Sequence, residues 1–191
     1  MRKLIFSIFC LTAIGLAAQQ PQFIPYYVGP GSVYYDGQII QNADPQTFHI
    51  LRDGYATDSW NVYYQGRVVP DASCSTFRVL SWGYAEDAWN VYFDGQPVPG
   101  AGVNTFRVLG DWYACDAWNV YFGDNKVQGA VPGSFQVVGD GYATDGANVY
   151  YDGDVVPGAS PATFQYQYGG YGTDATGTYY MGRPIEVPNP Q

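Results

Sequence analysis

The segment Tyr84-Ala-Glu-Asp-Ala-Trp-Asn-Val-Tyr-Phe-Asp-Gly95 specifies the architecture of this protein, because it recurs along the chain. Close copies of it, spaced by 29 residues, start at Tyr55, Tyr113, Tyr142 and Tyr171, and a worn copy starts at Tyr26. Self-similarity at a short fixed period is typical of arrays in which each unit packs on its neighbours. The sequence therefore predicts a repeat architecture.

A Phe preceded by Thr or Ser also recurs every 29 residues, and it marks the units. The copies are Phe48, Phe77, Phe106, Phe135 and Phe164. When the chain is divided at this recurring Phe, the sequence predicts one repeat domain over residues 18–191. Its six units are 18–46, 47–75, 76–104, 105–133, 134–162 and 163–191.

Residues 1–17 have the pattern of a secretory signal peptide. Arg2 and Lys3 precede an apolar run, Leu4 to Leu16, that ends among small residues suited to cleavage. The run is short for a membrane-spanning helix. We therefore expect an exported protein that does not span the membrane and is periplasmic, on the outer surface or secreted.

Composition favours short strands joined by tight turns. Aromatic residues make up 18% of the chain, 24 residues are Gly and 13 are Pro. Glu86 and Glu186 are the only Glu among 17 acidic residues, and Asp favours turns whereas Glu favours helices. The predicted fold class is all-β, an open array (solenoid) of six 29-residue β-hairpin repeats.

Each unit contains three predicted strands. In the third unit they are Thr76 to Leu80, Asn90 to Phe93, and a strand that ends at Val98. Asp94-Gly95 is a hairpin signal, because both residues of a type I′ turn need positive φ. In the fourth unit Gly123-Asp124-Asn125 replaces this signal, so we expect a rearranged turn there.

Two features favour an open array over a closed propeller. A four-stranded propeller blade uses about 40 residues or more, and these units have 29. The first and last units also depart most from the common pattern, as capping units of an open array do.

The recurring Tyr-Ala-x-Asp-x-x-Asn-Val-Tyr-Tyr-x-Gly, followed by Pro-Gly-Ala and Thr-Phe-x-Val-Leu, resembles the repeats of the DKNYY family of bacterial, often exported proteins. The Asp-to-Tyr-Tyr core of that pattern lies at Asp58 to Tyr64, Asp87 to Phe93, Asp116 to Phe122, Asp145 to Tyr151 and Asp174 to Tyr180. The Lys of the family name is replaced, by Ser59 in the second unit for example. The resemblance implies a β-rich repeat and brings no established activity.

Charge and residue types exclude several functions. The formal net charge is −9, and loss of Arg2 and Lys3 makes it more negative, so we predict no nucleic-acid partner. His49 is the only His, which excludes Ser-His, Cys-His and multi-His sites. We predict no enzymatic activity and no cofactor, with a hydrolase as a remote alternative.

An Asp recurs three residues before an Asn in the repeat stretch. The five copies are Asp58, Asp87, Asp116, Asp145 and Asp174, of which the last precedes a Gly. They either hold calcium or cap the loop while the Asn adopts a left-handed conformation. One carboxylate and one amide per unit are few for the six to eight or so oxygens of a calcium site, so capping is favoured and no metal is predicted.

Five Trp residues are the binding candidates. Trp60, Trp89 and Trp118 recur in the three central units only, although a framework residue should occur in every unit. They either cover their hairpins or present indoles to a sugar or a protein. Trp82 and Trp112, in the preceding turns, are predicted to extend the same patch.

Cys74 and Cys115 leave two alternatives open. An oxidising compartment permits a disulfide between them, and two unlinked apolar side chains are equally compatible with the sequence.

The leading hypothesis is a non-enzymatic protein that presents a protein-binding or scaffolding surface in the cell envelope. Its partner would be an envelope protein or a glycan. The alternative is a carbohydrate-binding module that uses the central Trp residues.

Overall fold

The computed structural model describes residues 25–186. The predicted signal peptide and the start of the first unit lie outside the described residues. Within the described range, all regular structure is β-strand except one 3₁₀ turn at Val103–Thr105. The all-β prediction is confirmed. No helix in this range is long and apolar enough to cross a membrane.

The strands form six antiparallel sheets in chain order, one within each predicted unit. The first sheet contains β1 (Tyr26–Val28), β2 (Val33–Tyr35) and β3 (Gln38–Ile39). The second contains β4 (His49–Ile50), β5 (Tyr55–Thr57), β6 (Val62–Tyr64) and β7 (Arg67–Val68). The third contains β8 (Arg78–Val79), β9 (Tyr84–Glu86), β10 (Val91–Phe93) and β11 (Gln96–Pro97).

The last three sheets repeat this arrangement. The fourth contains β12 (Arg107–Gly110), β13 (Tyr113–Cys115), β14 (Val120–Phe122) and β15 (Asn125–Lys126). The fifth contains β16 (Gln136–Gly139), β17 (Tyr142–Thr144), β18 (Val149–Tyr151) and β19 (Asp154–Val155). The sixth contains β20 (Gln165–Tyr166), β21 (Tyr171–Thr173), β22 (Thr178–Tyr180) and β23 (Arg183–Ile185).

Five of the six sheets have four strands, whereas the sequence predicted three. The missed strand in the third unit is β9, at the start of the repeat stretch. Because β9 has only three residues, one of them Ala, its sequence shows no recognisable alternation of apolar and polar side chains. Because the strands are so short, four of them fit into 29 residues, and unit length alone does not argue against a propeller blade.

The predicted hairpin register is confirmed. Tyr63 pairs with Val68, and the N–H of Val69 donates to the carbonyl of Val62 at 2.8 Å. Val62 and Val69 are buried, whereas Val68 is exposed. β7 and its counterparts lie at the edge of their sheets, as the variable position 68 and its counterpart Pro97 indicated.

The hairpin turns explain how this register is kept. Asp94 and Gly95 both have positive φ, 48° and 74°, as a type I′ turn requires. In the fourth unit Phe122 pairs with Asn125, so the loop still has two residues, and only Gly123 has a positive φ. The predicted rearrangement is therefore a change towards a type II′ turn without a change of register.

Aromatic rings form the core between consecutive units. Phe77 lies 5.3 Å from Tyr55 of the preceding unit and 5.8 Å from Tyr92 of its own unit, between ring centroids. All five core clusters combine residues of two consecutive units. Among residues 25–186, no hydrogen bond or core cluster joins the first unit to the last. Packing therefore runs from each unit to the next.

The hydroxyl of the first Tyr in the repeat stretch ties each unit to the backbone of the next. The Tyr113 hydroxyl donates to the carbonyl of Gly141 at 3.0 Å and accepts the N–H of Gly153 at 2.9 Å. The same two bonds to the following unit are made by Tyr26, Tyr55 and Tyr142. Tyr84 lies within bonding distance of two carbonyls of the next unit instead.

The hairpin Gly of each following unit lets the two backbones approach this closely. A Cβ at Gly95 would lie 2.5 Å from the Cβ of Tyr64, in the preceding unit. Gly66, Gly153 and Gly182 meet an aromatic side chain of the preceding unit in the same way. The Gly is therefore required both by the turn and by the contact between units.

Replacement of Tyr113 by Phe tests the contribution of this hydroxyl. The ring stays, but the carbonyl of Gly141 and the N–H of Gly153 lose a buried partner, so we expect the free energy of unfolding to fall by about 2 kcal/mol. Urea denaturation measures it. Tyr171→Phe is the matched control, because the described residues contain no later unit that the Tyr171 hydroxyl could bridge, and it should change stability by less than about 0.5 kcal/mol. Equal losses in both variants would contradict the role.

Candidate binding surface

An Asp organises the loop between the second and third strands of each four-stranded sheet, and it is buried in all of these sheets except the last. Oδ1 of Asp58 accepts the backbone N–H of Trp60 at 2.8 Å and of Asn61 at 2.7 Å. Its Oδ2 accepts the hydroxyl of Tyr63 at 2.7 Å and the backbone N–H of Asp44 at 3.0 Å. Asp87, Asp116, Asp145 and Asp174 each accept the four corresponding bonds.

These hydrogen bonds agree with the interpretation that each Asp caps its loop. Four N–H and O–H donors surround each carboxylate, and calcium would have to displace them. Within the part of the chain that the structure describes, no group of three or more His, Cys, Asp or Glu is placed to hold a metal ion. The five recurring Asp residues are therefore loop caps.

The expected left-handed conformation of the Asn is wrong. None of Asn61, Asn90, Asn119 and Asn148 has a positive φ. The carbonyl of Asn61 accepts the N–H of Asp58 at 3.0 Å, and its side-chain amide donates to Tyr63 at 3.3 Å. The Asn continues the antiparallel pairing beyond the strands, which requires an extended backbone.

Hydrogen bonding sets the protonation of this loop. Burial acts to raise the pKa of Asp58, but bonds from the Tyr63 hydroxyl and three backbone N–H groups outweigh it and hold the pKa below 3.8. The pKa of Asp174 is lowered to about 2 by the same balance. Conversely, burial and the bond to Asp87 raise the pKa of Tyr92 to about 12, so its hydroxyl remains a donor.

Three indoles project from these capped loops into solvent. The exposed fractions of Trp60, Trp89 and Trp118 are 77%, 78% and 84%. We call these three residues the Trp row. None of them belongs to a core cluster or contacts another aromatic ring. Side chains this exposed do not cover their hairpins, which was one of the two interpretations of the sequence.

The loop itself does not need an indole at this position. In the fifth and sixth units Ala147 and Thr176 occupy it, and their backbone N–H groups donate to Asp145 and Asp174 at 2.7 Å, as Trp60 does to Asp58. The Trp side chains of the central units are therefore additional to the framework.

Trp82 and Trp112 do not extend the Trp row. Trp82 lies in the turn between β8 and β9, whereas Trp89 lies in the loop between β9 and β10, at the opposite end of β9. The predicted single patch is corrected, and the reason is the strand that the sequence did not reveal. Trp82 and Trp112 instead contact each other edge to face, with ring centroids 5.3 Å apart.

This Trp82–Trp112 pair replaces a hydrogen bond that joins other units. The turn Asp of the fourth unit, Asp111, accepts the N–H of Gly141 at 3.4 Å, and Asp140 accepts that of Gly170 at 3.1 Å. Trp82 stands at the Asp position of this turn and Trp112 at the Gly position of the next. Both have positive φ, 56° and 60°, a strained conformation for a bulky side chain. The Trp82–Trp112 pair is therefore a contact between the third and fourth units.

A separate groove of about 1070 Å³ runs along the edge strands of the first four units. Asp36, Asp94 and Asp124 of the hairpin turns line it together with Arg67. Burial, followed by the nearby Asp124 and Asp53, raises the pKa of Asp94. None of the five Trp residues lines this groove.

The two cysteines are not joined in the structure. Cys115 is buried in the core of β13, and burial raises the pKa of its thiol. Cys74 is half-buried in a different core cluster, and its thiol donates to the carbonyl of Ser59 at 3.3 Å. The thiols of Cys74 and Cys115 are therefore unlinked in the structure.

Comparison with known proteins identifies the repeat. The model of the DKNYY family matches residues 26–85 and 125–183, which together are more than half of the chain. The chain belongs to the DKNYY family. The two matched regions of this DKNYY protein include the first two sheets, the fifth sheet and the sixth sheet as far as the start of β23, and the resemblance seen in the sequence is confirmed. No curated protein and no solved structure matches the chain.

The lowered pKa values of the capping Asp residues predict acid sensitivity. Because each folded pKa lies below the unfolded value of about 3.9, the caps stabilise the fold above that pH and lose this effect as the pH falls through the folded values. In Asp116→Asn we expect about 2 kcal/mol less stability than wild type at neutral pH, and a shrinking difference below about pH 4. Urea denaturation across this pH range is the measurement, and a pH-independent difference would contradict the assignment.

A double-mutant cycle tests the Trp82–Trp112 pair. Trp82→Asp and Trp112→Gly should each lose the indole contact, worth about 1 kcal/mol. The double variant loses it only once and rebuilds the Asp–Gly arrangement of the fourth to sixth units, so it should be at least as stable as either single variant. Additive effects in thermal unfolding would show that the two indoles do not act as a pair.

Proposed function

We propose that this DKNYY protein is an exported, non-enzymatic protein that binds a partner protein of the cell envelope through the Trp row. The observation that carries the proposal is the exposure of three indoles at the same loop position of three consecutive units. Trp is enriched at the energetic centres of protein interfaces, where it buries a large rigid surface.

The loop geometry supports a binding role over a stabilising one. Each Trp backbone N–H is held by the capping Asp, and the preceding residue is held as well, since the N–H of Ser59 donates to the Thr47 hydroxyl at 3.1 Å. The indoles are thus presented on rigid loops, which lowers the entropic cost of ordering them on binding. Exposed apolar groups without a structural task often mark interaction sites.

The Asp chemistry supports the proposed absence of catalysis. The capping carboxylates of Asp58, Asp87, Asp116 and Asp145 accept four hydrogen bonds each, and their pKa values are lowered, so they are neither free bases nor proton donors near neutral pH. Every buried side-chain polar atom of the described residues has a hydrogen-bond partner. A general acid or nucleophile would need a group that is poised differently.

A glycan is the second candidate ligand. The residues that precede the indoles are small and exposed, namely Ser59, Ala88 and Ala117, and they leave the ring faces uncovered. Flat uncovered indoles suit the apolar faces of sugar rings, and a neutral polysaccharide would not be repelled by the acidic chain.

The triple variant Trp60→Ala, Trp89→Ala, Trp118→Ala tests the proposal. Since the rings make no core contacts, we expect an unchanged melting temperature and loss of a partner that wild type retains from envelope extract. That partner, once purified, should bind wild type in calorimetry at least about tenfold more tightly than the triple variant, because truncation of an interface Trp costs about 2 kcal/mol or more.

Tyr168→Ala is the matched control, because Tyr168 is 93% exposed but lies outside the Trp row. This control should retain the partner fully. Retention of the same partner by the triple variant would refute the protein-binding role. Binding of wild type, but not of the triple variant, to neutral polysaccharides on a glycan array would favour the second candidate instead.

A further inference from the structure

The contacts between consecutive units show which groups of one unit are covered by the unit that follows it. Wherever a unit follows, it covers two aromatic rings of the unit before it: the Tyr that starts the repeat stretch and the aromatic residue just before the hairpin turn. In the second unit these are Tyr55 and Tyr64, with ring centroids 4.8 Å apart. They meet the carbonyl of Gly83, the N–H of Gly95 and the ring of Phe77 in the third unit.

The sixth unit presents the same two rings, and the described residues place no further unit against them. Tyr171 and Tyr180 are their counterparts, with ring centroids 4.6 Å apart. Tyr171 is 43% exposed, whereas the Tyr at this position is at most 5% exposed in the five preceding units. The rings already have the mutual arrangement that the internal interfaces use, so no rearrangement is needed before they are covered.

The first unit presents the complementary backbone groups. Gly37 corresponds to Gly95, and among residues 25–186 no atom lies within 4 Å of the position where its Cβ would be. Pro25 corresponds to Gly83, and its carbonyl accepts the N–H of Asp36 as that of Gly83 accepts the N–H of Asp94. A pocket of about 580 Å³ at Gly37 is lined by Tyr27, Gly29 and Tyr34 as well.

We propose that the last unit of one copy stacks on the first unit of a second copy. Tyr171 then donates to the carbonyl of Pro25 and accepts the N–H of Gly37, while the ring of Tyr180 packs on Gly37. The contact repeats the geometry of the internal interfaces between two chains. It joins two different surfaces, so it leaves one free end on each copy and builds open chains of copies rather than closed dimers.

One difference makes this contact weaker than the internal ones. Gln19 stands where each following unit has its Phe, so the ring that packs on Tyr171 in this way is missing from the sequence. Association between copies also costs translational and rotational freedom, which units in one chain do not lose. The assembly is therefore reversible and depends on protein concentration.

Sedimentation velocity over a wide concentration range tests the proposal on the protein produced with its own N-terminus. Wild type should show a weight-average sedimentation coefficient that rises with concentration. Tyr171→Ala/Tyr180→Ala should remain monomeric, and so should Gly37→Asn, since Asn tolerates positive φ but its side chain fills the contact. Circular dichroism and melting curves establish that both variants are folded. Tyr168→Ala, an exposed Tyr of the same unit, is the control and should associate like wild type.

A mixture of the two interface variants distinguishes this contact from any other. The Tyr171→Ala/Tyr180→Ala protein retains an intact first unit, and the Gly37→Asn protein retains an intact last unit. Their equimolar mixture should therefore form a dimer and nothing larger, whereas neither variant associates alone. The Trp60→Ala/Trp89→Ala/Trp118→Ala protein should associate like wild type, since the Trp row lies outside the contact.

The proposal is overturned by a wild-type sedimentation coefficient that is independent of concentration, by association that persists in both interface variants, or by failure of the two folded variants to combine. A closed dimer that only the Tyr171→Ala/Tyr180→Ala substitutions abolish would also refute it, because Gly37 would then have no part in the contact.

Discussion

The structure depends on a Tyr hydroxyl that bridges two backbone groups of the next unit. A 29-residue unit with strands of two to four residues has too little apolar surface for a core of its own. The bridge, as made by Tyr113 to Gly141 and Gly153, fixes the position of each sheet relative to its neighbour and satisfies buried backbone groups. The ring of the same Tyr supplies the apolar contact with the Phe of the next unit. Hydrogen bonding and burial therefore come from one residue.

A second set of bonds makes the loops rigid and leaves one position free. The capping Asp fixes the backbone around the Trp position through four donors, and it does so equally well when that position is Ala or Thr. Because the loop conformation is independent of that side chain, the central units can carry Trp there without loss of the fold. A binding surface on a repeat protein arises in this way, since the framework positions recur in every unit and the ligand-facing positions vary.

Much of the fold could be predicted from local signals in the sequence. The turn at Asp94-Gly95 fixed the register of β10 and β11, because two positive φ values specify one hairpin geometry. The strand β9 could not be predicted, because its residues Tyr84, Ala85 and Glu86 are all buried and therefore show no alternation of apolar and polar side chains. That omission misplaced Trp82 beside the Trp row, although β9 separates the two. The conformation of Asn61 was also misjudged, because its amino-acid type permits a left-handed backbone that the strand pairing excludes.

From the sequence we could predict the repeat period, the number of units, the hairpin register and the capping Asp. The period and the number of units follow from comparison of the copies, whereas the register and the cap follow from turn residues and from Asp bonds to the backbone of its own loop. The folded structure was needed to establish the partners of the Tyr hydroxyls, the exposure of the Trp row and the pairing of Trp82 with Trp112. The hydroxyl bonds and the indole pair join residues about one repeat apart in neighbouring units. The exposure of a side chain depends on what packs around it, so the stacking of the sheets has to be known before any of these features can be predicted.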